Sequence, residues 1–387
     1  MKKNLDVVYT VASKLGTIGM GITSMEAIKG IEKSGLNYKA FSRGHVKEIK
    51  LNKKNLTNYS WLEYLSYPFR FIEKFLKIKI NSFKLVNGFF GYLVYKNLPK
   101  TKIYHTWMGI SPKAIVKAKK EGAILVLEGA NSHPLNSAKI LNKEYKKYKM
   151  KDYLIDEKKI EKDSKIYQNF DYIMCPSDFV YYSFLEQGFP KEKLIKMPYG
   201  VDIKRFAPKD SYSKKEDKIK FIFVGSIQMR KGIQYLLKAW KELNPENAEL
   251  LIVGRVWPDA KNIVEKYKKN KTIKFLGFAK PEEILKNADV FISPSLEEGS
   301  ALTCYEAMAS GLPLIATSST GSIARDKKDG FIIPIRDVKV LKEKIKYFYE
   351  NPKQIEKMGK SARKYVKKFT WEDYGKRLGD FYKEKLN

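Results

Sequence analysis

Short apolar runs that alternate with helix-period segments constrain the fold of this chain more than any other feature. Leu5 to Val11, Phe221 to Val224 and Ala248 to Val253 are too short to be buried helices and too apolar to be half-exposed strands. Strands that are apolar on both faces belong to parallel sheets covered by helices on each side, because the crossover joining two parallel strands is usually a helix. The same pattern predicts strands at Lys102 to His105, Ala123 to Leu127, Tyr172 to Cys175, Ile273 to Leu276 and Val290 to Ser293. Helices are expected over Thr23 to Lys33, Ser111 to Lys120 and Gly232 to Leu243. The fold class is α/β.

A chain of 387 residues is long for one domain, and a prior of roughly 150 residues per domain predicts two. The boundary falls near residues 200 to 217, where Met197-Pro-Tyr-Gly leads into a polar stretch from Pro208 to Asp217. That divides the chain into 1–200 and 201–370, with 371–387 as a terminal helix. Cys175 and Cys304 are far apart and form no Cys-x-x-Cys pair, which supports neither a disulfide framework nor a zinc knuckle and fits a reducing compartment. Asp6 and the polar stretch from Ser13 interrupt any signal-peptide core, and no run reaches the roughly 18 to 20 apolar residues that span a bilayer. A cytoplasmic setting is expected.

The formal charge of +32 predicts attraction to polyanions, anionic lipid surfaces or phosphorylated small molecules. No short basic motif or aromatic platform of a nucleic-acid module is present, so nucleic acid is not an expected partner. Arg43 to Tyr104 carries 13 Lys or Arg against three Glu, with many aromatics. Within it Leu62, Leu65, Phe69, Ile72 and Leu76 follow a helical stripe from which Arg70, Lys74 and Lys77 diverge. That is the pattern of an interfacial helix lying on an anionic membrane surface, or of a core-packed helix that Pro68 interrupts.

Two stretches carry the chemistry. In Ser293-Pro-Ser-Leu-Glu-Glu-Gly-Ser-Ala-Leu-Thr-Cys-Tyr-Glu-Ala-Met-Ala-Ser-Gly-Leu-Pro, Glu298 lies just past a strand, where ligands of open α/β sheets bind, and Glu306 falls inside the following helix. The amides of Gly299, Ser300 and Ala301 are expected free at that helix start, ready for phosphate or hydroxyl oxygens. Upstream, Phe223-Val-Gly-Ser-Ile-Gln-Met-Arg-Lys-Gly follows a strand and opens a helix, which places Arg230 and Lys231 where a cationic pair can meet a diphosphate. Fixed positive charge there stabilises a leaving group as negative charge develops on it.

The first stretch resembles the Glu, seven residues, Glu signature of retaining glycosyltransferases of the GT-B type, in particular glycosyltransferase family 4 (glycosyl transferases group 1). The resemblance covers most of Tyr172 to Phe381 and implies two Rossmann-like, doubly wound parallel-sheet domains facing a central cleft. It implies that Glu298 and the loop from Gly299 through Ser300 and Ala301 to Leu302 face the donor sugar, and that Glu306 holds ribose hydroxyls. Lys231 matches the family's phosphate lysine, while Ser226 replaces its arginine and Arg230 is the candidate substitute. Ser300 stands where the family usually has Phe. Gly254 and Gly277 would line the base, and the last helix, Asp373 to Leu386 with Trp371 anchoring its start, would cross back onto the first domain.

The first half resembles the family more weakly, as suits a domain that reads the acceptor. Gly16, Gly19 and Gly21 follow the first strand and let backbone approach a phosphate or sugar, with Gly19 the chosen donor contact; a plain flexible loop is the other reading. Glu128-Gly-Ala-Asn-Ser-His133 resembles a family segment that reaches the donor sugar across the cleft, which makes His133 the catalytic candidate of this half. Three histidines build no metal cluster by spacing, and the family implies neither metal nor cofactor. The implied donor is a UDP- or GDP-sugar, and the implied acceptor a glycan or lipid-linked glycan in cell-surface polysaccharide or glycolipid synthesis. Transfer with retention follows, by front-face substitution or double displacement. The alternatives are a starch or glycogen synthase-like polymerase, whose Lys-x-Gly-Gly loop Lys14-Leu-Gly-Thr does not complete, and a non-catalytic protein that binds anionic lipid or nucleic acid.

Overall fold

A computed structural model describes residues 5–65, 67, 75, 82–209 and 218–387. Most of the amphipathic stripe read from Leu62 to Leu76, and most of the polar stretch ending at Asp217, lie outside the described residues. The first sheet holds β1 (Leu5–Val11), β2 (Tyr38–Ser42), β3 (Leu56–Asn58), β4 (Thr101–Trp107), β5 (Ile124–Glu128), β6 (Tyr172–Cys175) and β7 (Leu194–Lys196). Around it lie α1 (Met20–Lys33), α2 (Ser82–Asn97), α3 (Pro112–Lys120), α4 (Pro134–Lys147), α5 (Glu157–Ser164) and α6 (Asp178–Leu185). The second sheet holds β8 (Ile219–Val224), β9 (Ala248–Val253), β10 (Ile273–Gly277), β11 (Val290–Ser293), β12 (Leu314–Thr317) and β13 (Gly330–Ile333). Its helices are α7 (Ile233–Leu243), α8 (Lys261–Glu265), α9 (Pro281–Lys286), α10 (Leu302–Ala309), α11 (Val338–Glu350) and α12 (Pro352–Val366), and α13 (Trp371–Leu386) ends the chain.

Every strand pair is parallel, in the orders β3-β2-β1-β4-β5-β6-β7 and β10-β9-β8-β11-β12-β13. Each order reverses beside its first strand, between β1 and β4 and between β8 and β11, and those reversals open the crevices in which such sheets hold ligands. The strands are apolar because they are covered on both faces: Val7 to Val11 and Phe221 to Phe223 are buried. Five strands escape periodicity. β3 and β7 are three residues long, too short to separate from loop on pattern alone, while β2, β12 and β13 are as long as the predicted β5, β6 and β11 and yet are not picked out.

The terminal helix returns to the first domain, where α13 packs on α1. Glycine permits that approach: a Cβ on Gly30 would lie 2.5 Å from the Cα of Gly375. Thr370 caps α13 by accepting from the Asp373 amide at 3.1 Å, while Asp373 accepts from the Thr370 amide at 3.2 Å. One apolar cluster continues from the first sheet through Tyr199 to Cys304, Tyr305 and Tyr374, so the two domains share buried surface.

Candidate active site

From Val224 the chain turns through Gly225 into one 3-10 turn, Met229–Lys231. Two bonds fix its path. The Met229 amide donates to Asp259 Oδ2 at 3.1 Å, and the Arg230 carbonyl accepts from the Leu296 amide at 2.8 Å. Gly232 then takes φ 72°, and a Cβ there would lie 1.9 Å from the Pro294 carbonyl oxygen, so a side chain would push the turn off the loop that follows β11. Both cations are thereby delivered onto Glu297 and Glu298.

Lys231 pairs with Glu298 Oε2, and Arg230 Nη1 lies 3.5 Å from Glu298 Oε1 and 3.2 Å from Glu297 Oε2. Arg230 also donates to the Glu297 carbonyl at 3.0 Å. Burial, and then the neighbouring Arg230 charge, lower the Lys231 ammonium to about 7. A lysine so poised holds its proton firmly only while anionic groups stay beside it.

Glu297 is the residue that the sequence reading passed over. It is buried, and its Oε1 accepts from the Ser132 hydroxyl at 2.8 Å and the Ser132 amide at 3.2 Å. This carboxylate thus ties the loop after β5 to the cationic turn of the second domain. Beside it the backbones touch: a Cβ on Gly299 would lie 1.6 Å from the Ala130 carbonyl oxygen, and Ser177 Oγ donates to the Gly299 carbonyl at 2.5 Å. Nothing local marks this clasp in sequence, since Ser132 and Glu297 are 165 positions apart.

The other candidates are distributed as follows. Ser300 turns inward, its hydroxyl 3.1 Å from that of Tyr305 and donating to the Gly321 carbonyl at 3.0 Å. The Ala301 amide, expected free, donates instead to the Thr320 carbonyl at 3.2 Å, because the Thr320 turn packs against the loop. Leu302 opens α10, and Glu306 lies in its second turn, where burial raises its carboxyl to about 7, Arg205 opposing and Glu282 adding to the shift. Arg230, Lys231 and Glu298 therefore meet in one cluster, while Glu306 answers to Arg205 and Glu282. Gly225, Gly254 and Gly277 end adjacent strands, with the Gly254 amide donating to the Gly277 carbonyl at 2.7 Å. Phe278, 81% exposed, projects beside that shelf.

In the first domain Gly19 takes φ 78° at the start of α1, with open space where a Cβ would be. His133 caps α4 through Nδ1, which accepts from the Leu135 amide at 3.3 Å. Its ring lies 5.1 Å from that of Phe184 and 5.9 Å from that of Phe189. Burial lowers its imidazole to about 4, which keeps it neutral at neutral pH.

Residues 205–365 match the family model of glycosyl transferases group 1. That segment is a group 1 glycosyl transferase domain. The UDP-Gal:alpha-D-GlcNAc-diphosphoundecaprenol alpha-1,3-galactosyltransferase of Escherichia coli is 31% identical over 164 residues, 38% of this chain and 42% of that protein. The D-inositol 3-phosphate glycosyltransferase 2 of Catenulispora acidiphila is 26% identical over 211 residues, 48% of this chain and 49% of that protein. The chain spans about half the length of the curated relatives it matches. Likeness to solved structures runs the whole length: sucrose-phosphate synthase from Thermosynechococcus elongatus superposes with a TM-score of 0.69 at 19% identity, covering 99% of both chains. Anabaena HepE, solved in complex with UDP and glucose, gives 0.67 at 13%, covering 98% of this chain and 100% of that one. The architecture around the group 1 domain is GT-B.

Proposed function

We propose that the chain is a retaining glycosyltransferase that moves a sugar from a nucleoside diphosphate to a glycan or lipid-linked acceptor at the inner face of a membrane. The observation that carries this reading is the Arg230–Lys231 pair held against Glu298 at the sheet reversal of the group 1 domain. An entering diphosphate would replace Glu298 as the partner of both cations, and its negative charge would hold the Lys231 proton. Freed of Lys231, Glu298 would turn to the sugar, while the base would rest on the glycine shelf beside Phe278 and the ribose near Glu306. As the glycosidic bond breaks, charge grows on the leaving phosphate, and the two cations stabilise it without needing a metal ion. The clasp of Ser132 on Glu297 would keep water from the donor while the acceptor hydroxyl attacks the face that the diphosphate leaves.

Two relatives support the chemistry by name: one is solved with UDP and glucose, and another acts from UDP-Gal on a diphosphoundecaprenol-linked sugar. The test is a thermal-shift panel of UDP-, GDP- and ADP-sugars, followed by donor turnover. One nucleotide should raise the melting temperature, and Lys231→Ala should cost roughly 100-fold or more in kcat through loss of a charge aimed at the leaving group. No shift with any donor, or full turnover in Lys231→Ala, would remove the proposal.

A further inference from the structure

Helix α2 is apolar on two sides. Val86, Phe90 and Val94 face inward and are buried, whereas Leu85, Phe89 and Tyr92 face outward and are 42 to 51% exposed. A helix of a water-facing domain has no need of a second apolar stripe unless something covers it. The stripe is not isolated. Trp61, itself 45% exposed, packs edge-on against Phe89 at 6.0 Å, and Phe89 lies 6.2 Å from Tyr92. Close to Trp61 in the chain, Tyr64 and Tyr67 are both more than half exposed, their rings 6.1 Å apart.

Charge identifies what would cover it. From Ser82 to Lys120 the chain has eight lysines and no Asp or Glu. Lys96 lies over the Tyr92 ring at 5.8 Å, so the aromatic band has an ammonium at its margin. Next to it, between α2 and α3, a groove of about 470 Å³ is lined by Tyr95, Val116, Lys113, Lys117, Lys120 and one acid, Glu121. Aromatic rings bordered by lysines match the interface of an anionic bilayer, where rings sit at headgroup depth and ammonium groups meet phosphates. A second copy of the chain would bring another lysine-rich face against this one, and like charges would oppose the contact.

We infer that the outward face of α2, with Trp61, Tyr64 and the lysine-lined groove, docks the protein on an anionic membrane surface. The inference rests on the proposed membrane setting and centres it on α2 and its lysine-lined groove, with the aromatics at Trp61 and Tyr64 beside it, rather than on the helical stripe read over Leu62 to Leu76. Docking through the first domain would hold that domain, the one expected to read the acceptor, against the bilayer that carries a lipid-linked sugar.

The experiment is co-sedimentation of the full chain with vesicles of phosphatidylcholine alone or mixed with phosphatidylglycerol. Binding should require phosphatidylglycerol and weaken with salt. Phe89→Ser with Tyr92→Ser should lower it by about tenfold, as loss of two half-exposed rings would, and Lys113→Ser with Lys120→Ser by about fivefold per charge. Both variants should keep the wild-type melting temperature, because the side chains are exposed. Equal binding to both vesicle types, no binding, or wild-type binding by both variants would overturn the inference. A dimer that the aromatic variant converts to monomer would overturn it in favour of a second copy. Nucleotide-sugar thermal shifts read the other domain, so a failure of docking and a failure of glycosyl transfer are told apart.

Discussion

At the residue scale, two groups of the group 1 domain titrate near neutrality in opposite senses. Lys231 is lowered to about 7 by burial and Arg230, so it loses positive charge as pH rises through 7. Glu306 is raised to about 7 by burial, so it loses negative charge as pH falls through the same point. If a diphosphate needs the ammonium and ribose hydroxyls need the carboxylate, nucleotide affinity should peak near 7 and fall on both sides, by up to about tenfold per pH unit. Lys231→Arg stays charged at every accessible pH, so it should flatten the alkaline limb and leave the acid one. Glu306→Gln should do the reverse. Calorimetric titration of the preferred nucleoside diphosphate across neutral pH checks this, and a wild-type affinity that is level through 7 would sink the assignment.

At the scale of elements, the joint between α1 and α13 depends on two glycines facing each other. Gly375→Ala would bring a Cβ within 2.9 Å of the Gly30 Cα, and backbone cannot swing aside as a side chain can. Overpacking of this kind costs about 1–3 kcal/mol, to be read as a lower urea midpoint with an unchanged slope. α13 was expected from the family resemblance, with Trp371 as its anchor, whereas the Thr370–Asp373 capping box appears only in the folded chain. β8, β9 and β11 were legible in the sequence, each being an apolar run that ends in a Gly or Pro turn. β3 and β7 were not, since three residues carry no period. The site divides in the same way: Arg230, Lys231 and Glu298 sit in local patterns that point to them, whereas Glu297 acquires its role from Ser132, a partner that only the folded chain supplies.

At the scale of the molecule, what holds the domains together was invisible for that same reason. Glu144 on α4 is buried, and Gln234, Tyr235 and Arg336 of the second domain all bond to it, at 2.9, 2.8 and 2.9 Å. Arg336 and Glu144 are 192 positions apart, and in sequence each is one charged residue among many. The pair sits away from the Ser132–Glu297 clasp, so the closed arrangement is fastened at two places along α4 and the loop before it. Removing one partner of a buried ion pair usually costs about 3–5 kcal/mol, because the other charge stays buried without compensation. Here the molecule has an escape that a core pair lacks: if the domains part, water solvates Arg336 and much of the cost disappears. Glu144→Ala should therefore open the cleft rather than unfold either domain. The measurement is small-angle scattering, with a larger radius of gyration expected for the variant and most of the difference removed in the Glu144→Ala, Arg336→Ala double variant. Donor KM should rise in parallel, because an open cleft leaves Arg230 and Lys231 to water for more of the time. An unchanged radius with lowered thermal stability would mean that Glu144 supports the fold of one domain and does not govern closure.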